Sequence, residues 1–361
     1  MIAVSAAILP VTLWYKLRFH DPVSEYAHLL VSYHFGFAKR ALIGTVVSLF
    51  SSKVPVGYVY GIGVSAWLIA LLLFLVAFKR IIGFREQNLP LFAFTAGSPF
   101  FFKNFLYSIG YFDIYGCIAA LAALILPVGA FFLLILTAAC VVLILIHPIH
   151  MLMYCPVIML IAFVRYYCAL DLAPSRVAYG LILVLVVLAV FVASVFFGQM
   201  PVAPETWLSH VQSRATVPID PSVSYIWYSK ISDEIARTWS TMGTSALRIP
   251  VYALLIALHF PVGRYLQSLI QSLVTPMHRL GILIGIAAIC AGYLIIGAVV
   301  DDYSRWVSNW AVCMFLVMLA GRLLPSTIDC TEPPIAAEPR QSRALGWAVA
   351  LIPRVGVSKP F

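Results

Sequence analysis

Two adjacent carboxylates followed closely by a guanidinium stand out in Asp301-Asp302-Tyr303-Ser304-Arg305-Trp306, which lies between two apolar runs, 280–300 and 307–324. Charged side chains are costly to desolvate in a bilayer, so such a stretch belongs at the membrane interface or in a wet cavity. A carboxylate there could take the proton of a reacting hydroxyl, and an arginine offers paired donors to a phosphate. Asp302 is therefore a candidate base, Arg305 a candidate phosphate ligand, and Asp301 and Trp306 candidate substrate contacts. As plain structure, the same stretch is a polar turn with interfacial tryptophans.

Three further stretches carry related chemistry. Asp113, in Gly110-Tyr111-Phe112-Asp113, opens an apolar run; it is a helix-capping carboxylate, a general base, or a carboxylate that orients a hydroxyl or a metal. His147 and His150 lie three apart in a turn between apolar runs. They suit phosphate donation or proton transfer, and no third ligand at a defined spacing completes a metal site. Lys39-Arg40 lies within the run 37–50, an amphipathic interfacial helix or a further membrane helix, and reads as headgroup snorkelling or as a clamp on a lipid-linked phosphate, with Lys103 as its helper.

The elements that must position these residues are membrane helices. The chain has 361 residues, 63% hydrophobic and 10% charged, with mean hydropathy +0.99; soluble domains carry about a quarter charged residues. The pattern predicts an all-α, polytopic membrane bundle with about ten transmembrane helices. The runs are 2–15, 56–78, 89–102, 112–126, 129–146, 151–164, 177–197, 249–260, 280–300 and 307–324. The transmembrane domain is then 1–324, with polar outer loops at 16–55 and 198–247 that hold interfacial helices, and 325–361 is a cytoplasmic tail. Lys and Arg in the short loops at 79–85, 165–176 and 264–279, and in the tail, place that side in the cytoplasm. The opposite side collects residues 16–55, 103–111, 147–150, 198–247 and 301–306.

The formal charge of +9 comes without a basic run longer than two residues, which argues against nucleic acid and fits topogenic charge or an anionic ligand. Seven cysteines without CxxC spacing indicate neither a disulfide framework nor a metal site. The chain has no Walker A loop, dinucleotide fingerprint, HExxH or GxSxG, and no internal repeat. The aromatic-rich segment 198–247, with Trp207 and Trp227, suits sugar stacking or interfacial docking equally; its part 222–242 reads as an amphipathic helix.

Taken together, Gly36-Phe37-Ala38-Lys39-Arg40-Ala41-Leu42-Ile43-Gly44, Gly110-Tyr111-Phe112-Asp113, the His147 turn and Asp302-Tyr303-Ser304-Arg305-Trp306 resemble polytopic bacterial surface-polysaccharide proteins, the O-antigen polymerase-like and GT-C-like glycosyltransferases. The resemblance rests on scattered short motifs and lacks the large outer loop or C-terminal soluble domain typical of GT-C enzymes. It implies a bacterial inner-membrane glycosyltransferase or polymerase whose substrate is a polyprenyl-phosphate- or diphosphate-linked sugar, worked on at the periplasmic face. By position, Asp21 or Glu25 would match the acid that such enzymes carry in the first outer loop. A divalent metal is compatible with this chemistry but not required by it. The other expectation is a transporter or flippase of a lipid-linked glycan or a small anion, in which the outer charges form a gate.

Overall fold

The computed structural model describes residues 1–19, 22–168, 174–326 and 339–355. Among them, regular structure is entirely helical, with two isolated bridges, Val54–Ala215 and Leu273–Ser326. Four helices are long and apolar enough to cross a membrane: Ile2–Phe19, Gly57–Ile81, Pro174–Phe197 and Pro276–Val299. A fifth results if Ile249–Ala257 and Phe260–Ser272, bent by 62° at their junction, count as one broken span. The expected ten is larger than this count, because several runs fold as shorter or interrupted pieces.

The interruptions have local causes. The run 89–102 is split into Leu89–Ala96 and Phe102–Tyr107. Ser98 at this break accepts from the Phe100 amide at 3.1 Å and meets His259 Nε2 at 2.9 Å. His259 stands at the bend of the other broken pair, with Pro261 two residues on. A proline lacks the amide that would continue the helical ladder, so the two breaks satisfy one another.

Tyr303–Gly321 is the hub of the bundle. Val312, Cys313, Val317, Leu319 and Ala320 on it are wholly enclosed, and it packs on Asp113–Ile125, Cys155–Ala162, Pro276–Val299 and Gly57–Ile81. A helix apolar around most of its circumference belongs inside a bundle. Pro174–Phe197 is the opposite case: it buries only Val187 and Ser194 and exposes Leu181, Ile182, Leu185, Phe196 and Phe197. An apolar face of that extent marks a lipid or protein contact.

One end of the bundle carries a cap with its own core, built from Tyr26, Leu30, Val54, Trp207, Val211, Ile226 and Trp227. It joins the two polar loops. The Val54 amide donates to the Arg214 carbonyl at 2.9 Å, Arg214 donates to the Leu30 carbonyl, and Tyr26 donates to the Val54 carbonyl. The expected amphipathic helix at 37–50 is reduced to Leu42–Ser48. The one expected over 222–242 forms later, as Ile231–Ala246.

The described part of 325–361, expected as a cytoplasmic tail, is packed on the bundle. Helix Pro339–Leu351 packs against Leu89–Ala96 and Ile2–Phe19, and the Lys103 ammonium holds its last turn. Arg354 then lies over the Tyr107 ring at 4.4 Å, with Lys16 also on that ring at 4.6 Å. Arg354 thus stands beside Lys16 instead of grouping with the basic residues of the short loops. Carbonyls at a helix C-terminus need a cation or donor when buried, and the apolar pattern of 344–351 carries the helix into the bundle.

Candidate active site

Arg305 sits near the start of the Tyr303–Gly321 helix, three residues after Asp302 and four before Asn309. This spacing places the three on one face. Its Nε donates to Asp113 Oδ2 at 2.8 Å and its Nη2 to Asp113 Oδ1 at 3.0 Å. The remaining terminal nitrogen, Nη1, donates to Asp302 Oδ2 at 3.2 Å. The guanidinium carbon lies 4.2 Å from the Tyr111 ring centre and 4.8 Å from that of Trp306. Arg305 is therefore gripped by two carboxylates between two rings.

Asp113 has a third donor, Asn309 Nδ2 at 3.1 Å, and Asn309 Oδ1 accepts from Tyr154 at 2.6 Å. A polar thread thus runs from Asp302 at the surface through Arg305, Asp113 and Asn309 to Tyr154 in the interior. Two glycines make room for it. Gly110 has φ +93°, and a Cβ there would strike Val59 at 2.6 Å and Glu25 at 3.2 Å. Any side chain would push the Tyr111–Asp113 segment off Glu25. Gly116 faces Tyr154, where a Cβ would lie 2.2 Å from the ring and 2.9 Å from His150 Nδ1.

Around the pair stand His28, His147, His150 and Arg40. The electrostatic neighbours of His147 are Arg40, His150, His28 and Arg305. Burial first, and then these cations, holds His28 and His147 well below the usual histidine range. His150 is pushed down to about 4 by burial, against the opposing pull of Asp113. At neutral pH all three are uncharged. The His147 Nδ1 accepts from the Ile149 amide at 3.2 Å, so its Nε2 carries the proton. Neither nitrogen of the fully enclosed His150 has a hydrogen-bond partner among the described residues.

Arg40 has φ +63°, left-handed backbone for a non-glycine residue. Its Nε is buried without a partner, and its guanidinium makes no ion pair within 4.0 Å among the described residues. Burial lowers it to about 10, while Glu234 and Tyr225 act to raise it. Lys39, next to it, donates Nζ to the Ser229 carbonyl at 2.9 Å; burial, then Arg40, lowers it to about 8.

The other candidates divide. Glu25 is buried and accepts from Ser24 at 2.8 Å, within electrostatic reach of Tyr111; burial and Glu25 push the Tyr111 phenol up to about 12. Asp301 accepts from Thr241 at 3.4 Å. Trp306 is enclosed and donates to the Val300 carbonyl at 3.2 Å, so its ring serves Arg305. Trp207 and Trp227, expected to stack on sugar or to dock at the interface, are core residues of the cap: they are 1% and 0% exposed, with ring centres 5.3 Å apart. Lys103, expected on a phosphate, is instead wholly buried and donates to the carbonyls of Val349, Ala350 and Ile352 at 3.3, 2.7 and 3.1 Å. Asp21 lies outside the described residues. No three His, Cys, Asp or Glu side chains converge as a metal site among the described residues.

Asn309, Tyr154 and Tyr111 were not singled out from the sequence. Asn309 had a signal in its position, one helical turn beyond Arg305; Tyr154 had none, since only the tertiary fold brings it across.

The chain matches no protein-family model, and no curated protein or solved structure is similar to it. Fold and site by themselves define a class: a protein all-helical over its described residues, with several membrane-length apolar helices and a buried charge cluster under a helical cap.

Proposed function

We propose that this protein is a polytopic glycosyltransferase or polysaccharide polymerase of the bacterial inner membrane, acting on a polyprenyl-phosphate- or diphosphate-linked sugar. Besides the long helices, the broken Leu89–Tyr107 stretch, the shorter apolar helices Asp113–Ile125, Phe132–Ile146 and Cys155–Tyr167, and Tyr303–Gly321 support about ten passages. The capped end is then the periplasmic one.

The observation that carries the reading is Arg40: a buried guanidinium with no ion pair within 4.0 Å among the described residues, held in left-handed backbone within electrostatic reach of Arg305 and Glu234. An unpaired charge away from water is costly, and a phosphate would offset that cost. In this mechanism Arg40, with the neutral His147 as a donor, holds the phosphate. The acceptor hydroxyl attacks the anomeric carbon and gives its proton to Asp302, the most accessible carboxylate of the thread at 35% side-chain exposure. The new glycosidic bond forms as the bond from the sugar to the phosphate oxygen breaks, and the leaving negative charge settles on Arg40. Arg305 is a positioning residue, fixing Asp302 while Asp113 and Asn309 fix Arg305.

The test is detergent-solubilised protein given a polyprenyl-diphosphate-linked sugar and an acceptor glycan. New glycosidic bonds that disappear in Asp302→Asn and Arg40→Gln support the reading; turnover unchanged in both variants removes it. A second reading, a transporter or flippase, is favoured by the polar thread reaching Tyr154 in the bundle interior. Gradient-driven movement of the lipid-linked sugar across vesicles, without bond formation, would select it.

A further inference from the structure

Ile231–Ala246 wears its apolar side outward. At about 100° per residue, Ile231, Ile235, Trp239 and Met242 fall on one stripe, and they are 49, 36, 60 and 36% exposed. The residues turned to the protein are instead polar: Glu234, Thr238 and Thr241, of which Thr238 is buried. Asp233, Arg237 and Ser240 occupy the far side and are exposed. A helix on a water-bathed surface packs its apolar stripe on the body. Here the stripe is left uncovered beside the body, and the charged side lies opposite the stripe, with Arg237 over the Tyr225 ring at 5.0 Å.

What covers the stripe follows from where the helix is tied. Thr238 donates to the Val299 carbonyl at 2.7 Å, the last residue of Pro276–Val299. That helix has 24 residues, about 36 Å of rise, against a hydrocarbon thickness of about 30 Å. Its end therefore lies at the edge of the hydrocarbon, and Ile231–Ala246 lies there with it. Beyond the stripe come Leu247, Ile249 and Leu254, and on the neighbouring span Leu294 and Ile295, all exposed. Trp239 has the amphipathic ring that settles at this depth.

We infer that Ile231–Ala246 lies in the plane of the membrane interface, its Ile231–Ile235–Trp239–Met242 stripe in the lipid of the leaflet beside the site. The inference rests on the membrane reading above. It adds that the site has a lipid-facing edge: Ser229, which accepts from Lys39, donates to Glu234 at 2.9 Å, and Thr241 donates to Asp301. The leaflet is thereby brought alongside Lys39 and Asp301.

Spin labels on cysteines introduced one at a time test it, in full-length protein reconstituted into phosphatidylethanolamine–phosphatidylglycerol vesicles, with the labelled parent protein and its seven native cysteines as the baseline to subtract. The variants are Ile235→Cys, Trp239→Cys, Asp233→Cys, Arg237→Cys and, on the span, Leu294→Cys. The expected result is high oxygen and low nickel-chelate accessibility at 235, 239 and 294, with the reverse at 233 and 237. Nickel access at 235 and 239 with 294 still in lipid overturns the inference and leaves the membrane reading standing. Shielding of 235 and 239 from both reagents also overturns it, since protein then covers the stripe. Nickel access at 294 as well brings down the membrane reading itself.

Discussion

Asp113 receives both Nε and Nη2 of Arg305, at 2.8 and 3.0 Å, across 192 residues of chain. The side chains are 3% and 15% exposed, so neither has bulk water to fall back on. Removing one partner of a buried pair leaves an uncompensated charge and costs about 3–5 kcal/mol, whereas replacing both with apolar groups is often neutral. Asp113→Asn and Arg305→Met should each lower the melting temperature sharply, and Asp113→Leu with Arg305→Met should recover most of the loss. Melting of the four proteins in one detergent checks this; additive losses would show that the two residues do not act as a pair.

Asp302 behaves differently although it shares the same arginine. Its pair with Arg305 is 3.2 Å long and more exposed, a class of ion pair that contributes about 0–1 kcal/mol. Asp302→Asn should therefore melt close to wild type. As a general base it should nonetheless lose roughly 10²–10⁴-fold in turnover. A variant that is stable and active would assign Asp302 to the surface only.

How much of this was legible in the chain can be judged residue by residue. The apolar runs gave the helical class, because backbone polar groups in lipid must be satisfied within the segment. Asp302 and Arg305 were readable as a helix-face pair from their spacing alone. The burial of Trp207 and Trp227 is not legible, because an aromatic-rich loop gives no sign that it folds on itself into a core, as the cap does. The place of Lys103 is hidden for a similar reason: its three acceptors lie roughly 250 positions away, at a sequence distance no local pattern reports.

Acid should destabilise the protein through its buried histidines. His28, His147 and His150 are held below the ordinary histidine value, His150 at about 4. The unfolded chain takes up protons as pH falls past about 6.5, while the folded one does not. Each group thus contributes stability that is fully present above about 6.5 and is lost as pH falls toward its folded value, at up to about 1.4 kcal/mol per pH unit per group. Melting temperature followed from neutral pH to about 4 should fall, and His150→Gln should make the fall shallower. A flat profile would mean that these imidazoles are protonated in the fold.

Lys103 separates a structural from a ligand role. Three carbonyl bonds hold its ammonium at the end of Pro339–Leu351, and hydrogen bonds to a charged group contribute about 1.5–3 kcal/mol. Lys103→Met should lower the melting temperature and open the segment after residue 338 to protease, with phosphate binding intact. Loss of phosphate binding with unchanged melting would return Lys103 to the site.

Arg40 gives the strongest opposition between stability and function. Its left-handed backbone costs about 1–2 kcal/mol for a residue with a Cβ, and its guanidinium has no counter-charge within ion-pair distance among the described residues. Arg40→Gly relieves both, so it should raise the melting temperature while abolishing turnover. The ligand side can be read without turnover: a ligand that binds only the folded state stabilises it by about 2.7 kcal/mol at a hundred times its dissociation constant. Inorganic pyrophosphate should therefore raise the melting temperature of the wild type in a concentration-dependent way and leave Arg40→Gly unmoved. Equal shifts in both would place the anion elsewhere. A wild type that does not shift, beside a destabilised Arg40→Gly, would make Arg40 a structural residue whose backbone strain is compensated within the cap.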